Sequence, residues 1–498
     1  MTATDRLLGK VKTFLNETPV GLFIGGRFVP SADGATFTTL DPGDGSPLAT
    51  VYEAKAADVD AAVRSAEDAF KRSGWATQSA KERAAHLHKL ADLVDKHLPE
   101  LAQLESLDVG KPLAQAQGGD IPNVAQTLRW YADFATHVHN SSDLKIDGFD
   151  ARQVRKPWGV CAFILPWNFP MLLVGWNIAP ALAAGNTVVI KPAEDTPLST
   201  LYFCKLVQEA GIPPGVINVI AGYGESAGKA LAEHPRIRHM GFTGSPEVGR
   251  QIASACGANL VPVKLELGGK GAAVVFDDVD VDTTADQLVA ALTLNTGQVC
   301  CTATRWVLHE AIWNDFLSAV TDRLQAIRIG HGLEDGTQMG PAVNEKQRRR
   351  ILGYLEGGVA QGARPILEGG PTKVPNHPGG FYVKPALLTG EPDNICAVEE
   401  IFGPVAYLMP FKDEDEAVAL ANHTAYGLAN SVWTPDLKRA DRVAEAMEAG
   451  NSWINGHNLF PHGVPYAGCN LSGCGGGVLG PDTLFDYLRP QSVVRPLQ

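Results

Sequence analysis

The chain has 498 residues, 45% of them apolar and 19% charged, which excludes a wholly disordered protein. Its formal net charge of −13 lacks the basic footprint of sequence-independent nucleic-acid binding, so no nucleic-acid partner is expected. Eight cysteines are too sparse for a disulfide scaffold and read as reduced thiols of a cytoplasmic protein, any of which can be a nucleophile.

The opening MTATDRLLGKVKTFLN is amphipathic and lacks the apolar core and small-residue cleavage site of a signal peptide. Residues 57–70 and 80–107 carry helical apolar spacing. The second run is marked by Leu87, Leu90, Val94, Leu98, Leu101 and Leu104, with Ser79 and Glu82 as a capping box ahead of it. The polar segment 139–156 suits a hairpin leaving the domain body. From Pro157 to Ile190 no residue is charged, a length able to span a bilayer. Pro166, Asn168, Pro170 and Pro180 interrupt it, so a buried strand, a loop and a buried helix are expected, and no membrane span. Strand-like runs then alternate with helical ones: GVCAFIL, NTVVIKP, GVINVIAG, IRHMGFTG and AAVVFDD. A second alternating series runs from about 281 to 460. The expected class is α/β, with two parallel-sheet domains in sequence.

No G-x-G-x-x-G follows a strand, and the glycine-rich run from Gly222 to Lys229 has the wrong spacing for a P-loop, so a structural turn is expected there. In Phe242-Thr243-Gly244-Ser245-Pro246, Ser245 takes an N-cap position and Pro246 the first helical one. Such a turn either simply caps its helix or offers free N–H groups to a diphosphate. Lys191 and Glu194 follow the strand NTVVI, where a parallel sheet opens its ligand crevice. They form either a solvated ion pair or ribose contacts, and a carboxylate there repels a 2′-phosphate, which favours NAD over NADP. Cys300 and Cys301 in GQVCC, Glu266 in ELGGK and Asn168 in PWNFP are each weak signals. Together they supply a thiol, a carboxylate base and an amide donor, the parts of an acyl-enzyme mechanism.

The motifs PWNFP, KPAEDTP, GFTGS, LELGGK, GQVCC and EEIFGPV stand in the order and spacing of the aldehyde dehydrogenase superfamily, which the chain resembles over about residues 20–495. The resemblance implies a Rossmann-like, doubly wound cofactor domain (1–138 and 157–268), a doubly wound catalytic domain (269–465) and a small β oligomerisation element (139–156 and 481–498) of a homodimer or homotetramer. It makes Cys300 the nucleophile, Glu266 the general base, and Asn168 with the Cys300 amide the oxyanion hole. NAD is the implied cofactor, with Trp167, Lys191, Glu194, Gly224, Phe242, Ser245, Glu400 and Phe402 in contact with it. The thiolate attacks the aldehyde carbon, hydride leaves to the nicotinamide, and water activated by Glu266 hydrolyses the thioester. Relatives that pass the acyl group to coenzyme A lack this carboxylate, so the free acid is the expected product. A CoA-acylating semialdehyde dehydrogenase and a catalytically silent structural relative are the alternatives.

By motif position, the substrate mouth combines Phe169, Trp176, Val299, Cys301, Phe460 and Tyr466. It suits an uncharged aliphatic or aromatic aldehyde, although aromatic faces also accept a cation. Two positions depart from the family. Asn177 replaces a lysine found in many members, and Gly-Gly-Gly-Val-Leu-Gly at 475–480 replaces Gly-Arg-Glu-Leu-Gly. Both members of the polar relay behind the base are missing, which leaves Glu266 to exchange its proton through water near Asn177. His457, His462, Cys469 and Cys474 are spaced too widely for a usual zinc site, so no metal is expected, and His462 is free to bind a polar substrate tail.

Overall fold

The computed structural model describes residues 6–497. Residues 1–5 of the opening stretch and residue 498 of the C-terminal tail lie outside the described residues. Four of the five predicted strands form at Val160–Ile164, Thr187–Lys191, Ile217–Val219 and His239–Thr243. With Val263–Glu266 they make the parallel centre of an eight-stranded sheet. The hairpin Leu22–Ile24/Arg27–Val29 closes one edge antiparallel, and the short strand Gly473–Cys474 closes the other.

The fifth predicted strand, Gly271–Val275, sits instead at the centre of a second, seven-stranded sheet, so the second series begins before residue 281. Periodicity identifies a strand but not the sheet it joins. Along this sheet both faces are apolar. Val274, Val307 and Tyr407 belong to one core, and the alternate residues Val275, Trp306 and Leu408 to the other. Burial on two sides explains why these strands read as continuous apolar runs. A third, antiparallel sheet pairs Leu488–Pro496 with Phe149–Pro157, and that strand with Ser141–Ile146.

The helical run 80–107 is two helices, Ala80–Lys96 and Leu98–Val109, broken at His97. Pro99 lacks an N–H and fits only the first turn of a new helix, a constraint that apolar spacing does not reveal. The capping box ahead of it forms, with Ser79 Oγ accepting from the Glu82 amide at 3.2 Å and Glu82 from the Ser79 amide at 2.7 Å. The uncharged segment folds as strand Val160–Ile164, helix Pro170–Ala183 and strand Thr187–Lys191, and no helix among the described residues is long and apolar enough to cross a membrane. The glycine-rich run near 224 is helical, with a π-type turn at Gly224–Gly228 leading into Lys229–Ala232.

One buried cation ties the second sheet to its covering helix. Arg305 donates to the carbonyls of Lys270 (2.9 Å), Leu420 (2.9 Å), His423 (3.3 Å) and Ala421 (2.6 Å). The last three end the helix Glu414–Asn422, where the helix dipole is negative. Burial lowers its pKa only to about 10, so the guanidinium stays charged. Replacing Arg305 by methionine strands these buried acceptors and is expected to cost about 3 kcal/mol or more of stability, read as a lower urea midpoint.

Candidate active site

The strands Val160–Ile164, Thr187–Lys191, His239–Thr243 and Val263–Glu266 all end on one edge of the first sheet. Their following loops face the second sheet across a cavity of about 850 Å³. In α/β folds this carboxyl edge is where ligands bind. Trp167, Asn168 and Phe169 line the cavity from the first loop, Glu194 from the second and Ser245 from the third. Glu400 and Phe402 face them from the second domain, and Val299, Cys300 and Cys301 lie between. Trp176, Phe460 and Tyr466 close the far end.

The Cys300 loop is held stiffly. Asn295 and Thr296, with φ of 46° and 59°, sit in the left-handed region that side chains disfavour, just before Gly297 at 70°. A Cβ on Gly297 would run into the Gly403 carbonyl. The buried Gln298 side chain accepts from the Val343 amide at 2.9 Å and donates to the Asn295 carbonyl at 3.0 Å. Asn168 Nδ2 donates to the Gln298 carbonyl at 3.0 Å, and the Asn168 carbonyl accepts from Asn295 at 2.8 Å. One Asn168 N–H is thus spent on the loop, and an amide has a second to give.

Cys300 Sγ is 3.8 Å from the Tyr466 hydroxyl, and Cys301 Sγ donates to Asn458 Oδ1 at 3.3 Å. The neighbouring Cys301 thiol first, and burial second, raise the Cys300 pKa well above that of a free thiol. At rest Cys300 is therefore a protonated thiol, and its use as a nucleophile needs a proton acceptor.

Glu266 lies behind the cavity wall rather than in its lining, next to the lining residues Leu267 and Gly268. It is 7% exposed, and among the described residues no protein group donates to either carboxylate oxygen. Burial drives its pKa well above the usual carboxylate range, the charge of Lys264 opposes that rise, and Cys300 adds to it. Glu400 accepts from the Gly269 amide at 2.9 Å, and burial pushes it up to about 7. A Cβ on Gly268 would overlap the Glu400 carboxylate and displace it.

Three predicted contacts do not reach the cavity. Phe242 packs under Gly244, where its ring fills the space of a side chain. Lys191 is buried beneath Glu194, donating to it at 3.3 Å and to the Pro192 carbonyl at 2.8 Å. Gly224 opens the π-type turn and stands clear of the lining. The Ser245 cap forms as read, accepting from the Val248 amide at 3.3 Å with Pro246 first in the helix. His462 turns away from the cavity to Thr127 Oγ1 at 2.9 Å. His457 spends both ring nitrogens on Ser431 Oγ (3.0 Å) and the Cys301 carbonyl (2.8 Å).

Several residues beside the cavity carry no mark in the sequence. Asn344 caps the helix Glu345–Ala360 and donates to Asp195 at 3.0 Å, while Gln347 holds the Phe402 carbonyl at 2.7 Å and Arg350 the Glu400 carbonyl at 2.7 Å. No motif marks these residues, because only the docking of the two domains brings them to the site. Lys264 left a usable signal, since residues two apart on a strand share a face. Asn177 donates to the Leu173 carbonyl of its own helix at 2.9 Å.

A family model described as the aldehyde dehydrogenase family matches residues 28–493. A phenylacetaldehyde dehydrogenase of Pseudomonas fluorescens is 41% identical over 465 residues, 92% of each chain. The mitochondrial aldehyde dehydrogenase family 2 member B4 of Arabidopsis thaliana is 40% identical over 478 residues, 96% of this chain and 88% of that one. The solved NAD+ complex of an aldehyde dehydrogenase from Bacillus cereus superposes with a TM-score of 0.96 at 38% identity, covering 99% of both chains. With a thiol, an amide and a buried carboxylate gathered where two parallel sheets meet, the chain belongs to the aldehyde dehydrogenase family.

Proposed function

We propose that the protein oxidises an aldehyde to the free carboxylic acid with NAD as acceptor. The carrying observation is one continuous cavity with Cys300 at its centre, a polar arm running past Ser245 to Glu194, and an aromatic end. The polar arm fits a dinucleotide: a capped helix start for the diphosphate, Glu194 over Lys191 for one ribose, and Glu400 for the other. NAD, when bound there, supplies the two-electron acceptor. Cys300 Sγ adds to the carbonyl carbon after giving up its proton, and the second N–H of Asn168 with the Cys300 amide steadies the oxyanion. Glu266 takes a proton from the water that cleaves the thioester.

The aromatic end supports an uncharged aldehyde. Trp176, Phe460 and Tyr466 pack with ring centroids 5.3–5.9 Å apart. The one carboxylate on that side, Asp120, is ion-paired with buried Lys111 at 2.5 Å and so offers little to a substrate cation. The test is NADH formation from aliphatic, aromatic and quaternary-ammonium aldehydes, with and without coenzyme A. Free acid formed without coenzyme A is expected, and an absolute requirement for coenzyme A overturns the reading. In the same assay Glu194→Gln removes the charge opposed to a 2′-phosphate. NADP use is expected to rise about tenfold in kcat/KM while NAD use falls.

A homodimer or homotetramer fits the third sheet, which leaves Leu144, Ile146, Phe149 and Val494 exposed, and sedimentation of the purified protein checks it. A reducing, cytoplasmic setting fits eight cysteines that are all free thiols.

A further inference from the structure

We propose that Lys264 is a positioning residue for Glu266: its buried ammonium, anchored by the glycine-rich C-terminal turn, holds the base carboxylate ionised for water activation. The inference rests on Glu266 being the base. Lys264 and Glu266 are two apart on the strand Val263–Glu266, so their side chains leave the same face of the sheet. Lys264 pairs with Gly241 on the neighbouring strand, where the Phe163 ring and Asn177 Oδ1 fill the space of a side chain. Lys264 is 1% exposed. Its Nζ donates to the Gly477 carbonyl at 3.3 Å and lies 5.1 Å from the centre of the Tyr487 ring. Gly477 belongs to the 475–480 segment that departs from the family, and Thr483 Oγ1 donates to the same carbonyl at 3.0 Å. The atypical turn and the buried lysine therefore meet at one oxygen, behind a carboxylate to which no protein group among the described residues donates.

The titratable groups around the pair are few. Cys300 and Tyr466 face Glu266 from the catalytic and C-terminal loops, and Tyr487 from the chain following the last helix. Asp486, Cys161 and His239 surround Lys264. Burial alone would discharge both partners, raising Glu266 and lowering Lys264, and each charge offsets that cost for the other. Lys264 is the only cation in this group, because burial lowers His239 to about 3.

The test is the pH profile of acyl-enzyme hydrolysis, followed by quenching and intact-mass measurement, for wild type, Lys264→Met, Lys264→Gln and Glu266→Gln. Glutamine keeps a donor for the Gly477 carbonyl, so a variant that folds and differs only in charge is available. In both lysine variants the rising limb is expected to move up by about one pH unit. Hydrolysis then falls about tenfold at pH 7 and recovers near pH 9, with KM for the aldehyde unchanged. An unshifted limb in the lysine variants, with the limb abolished in Glu266→Gln, overturns the role of Lys264 alone. A limb that persists in Glu266→Gln overturns the base assignment and this inference with it.

Discussion

Replacing Cys300 by serine is expected to lower NADH formation at least about a thousandfold, while the protein stays folded and still binds NAD. The magnitude follows from the chemistry of the site. A serine hydroxyl is a far weaker nucleophile than a thiol that has lost its proton. Nothing in the loop compensates: the imidazole bonded to it, His457, is committed to Ser431 and the Cys301 carbonyl. The Cys301 thiol cannot take over where it stands, because its sulfur is buried and donates to Asn458. The fold should tolerate the exchange, because the Cys300 sulfur meets its neighbours weakly, at 3.8 Å from the Tyr466 hydroxyl, and its loop is braced by Gln298 and Asn295. Isothermal titration with NAD checks binding, and a stopped-flow NADH trace checks chemistry. Activity equal to wild type would remove Cys300 from the nucleophile's role. The pH dependence has a definite sign. Cys300 is raised by Cys301 and by burial, so the reactive form is scarce at low pH and wild-type acylation should climb as pH rises.

Much of the fold was legible because two-sided burial writes a distinctive pattern. The runs at Val160–Ile164 and Thr187–Lys191 are buried at every inward and outward position and apolar through their centres, as a strand covered on both faces is. The Ser245–Pro246 helix start was legible for a local reason, since a capping side chain and a proline act within a single turn. Three kinds of information were not local. The sheet that Gly271–Val275 joins depends on partners 30 and more residues away, at Ala303–His309 and Ala429–Trp433. The placing of Gln347 and Arg350 depends on domain docking. The neighbourhood of Glu266 depends on a C-terminal turn more than 200 residues later in sequence, where Gly477 meets Lys264. Motif spacing singled out Cys300 and Asn168, which line one cavity. It did not show that Phe242, expected to contact the cofactor, packs under Gly244, because a motif records which residues recur and not which way each one points.

Glu266→Gln is expected to separate the two halves of the reaction. Addition of Cys300 and oxidation of the adduct should survive in part, since they use the thiol, the Asn168 amide and the bound acceptor. Release of the acid should slow by about 10²–10⁴-fold, the range for loss of a positioned general base. The observable is a burst of NADH close to one per active site followed by a nearly flat trace, with the acyl-enzyme visible by intact mass. Glutamine suits the test because it matches the carboxylate in size and leaves little cavity in a site only 7% exposed. It also removes the reason for the site's cost: a carboxylate with two unpartnered oxygens, desolvated and lifted well above its ordinary pKa, is an expensive feature to keep in a core. That relief is offset by the loss of the charge facing buried Lys264, so stability should change little even as turnover collapses. The sign of the pH effect follows from the same burial. A base whose pKa is raised works only above that pKa, so wild-type acid release should fail on acidification before the fold does. The glutamine variant should show no such limb. A burst trace indistinguishable from wild type would mean that water at the thioester is activated by another group, and Glu400, pushed up to about 7 and in the cavity lining, is the carboxylate that would then have to be tested.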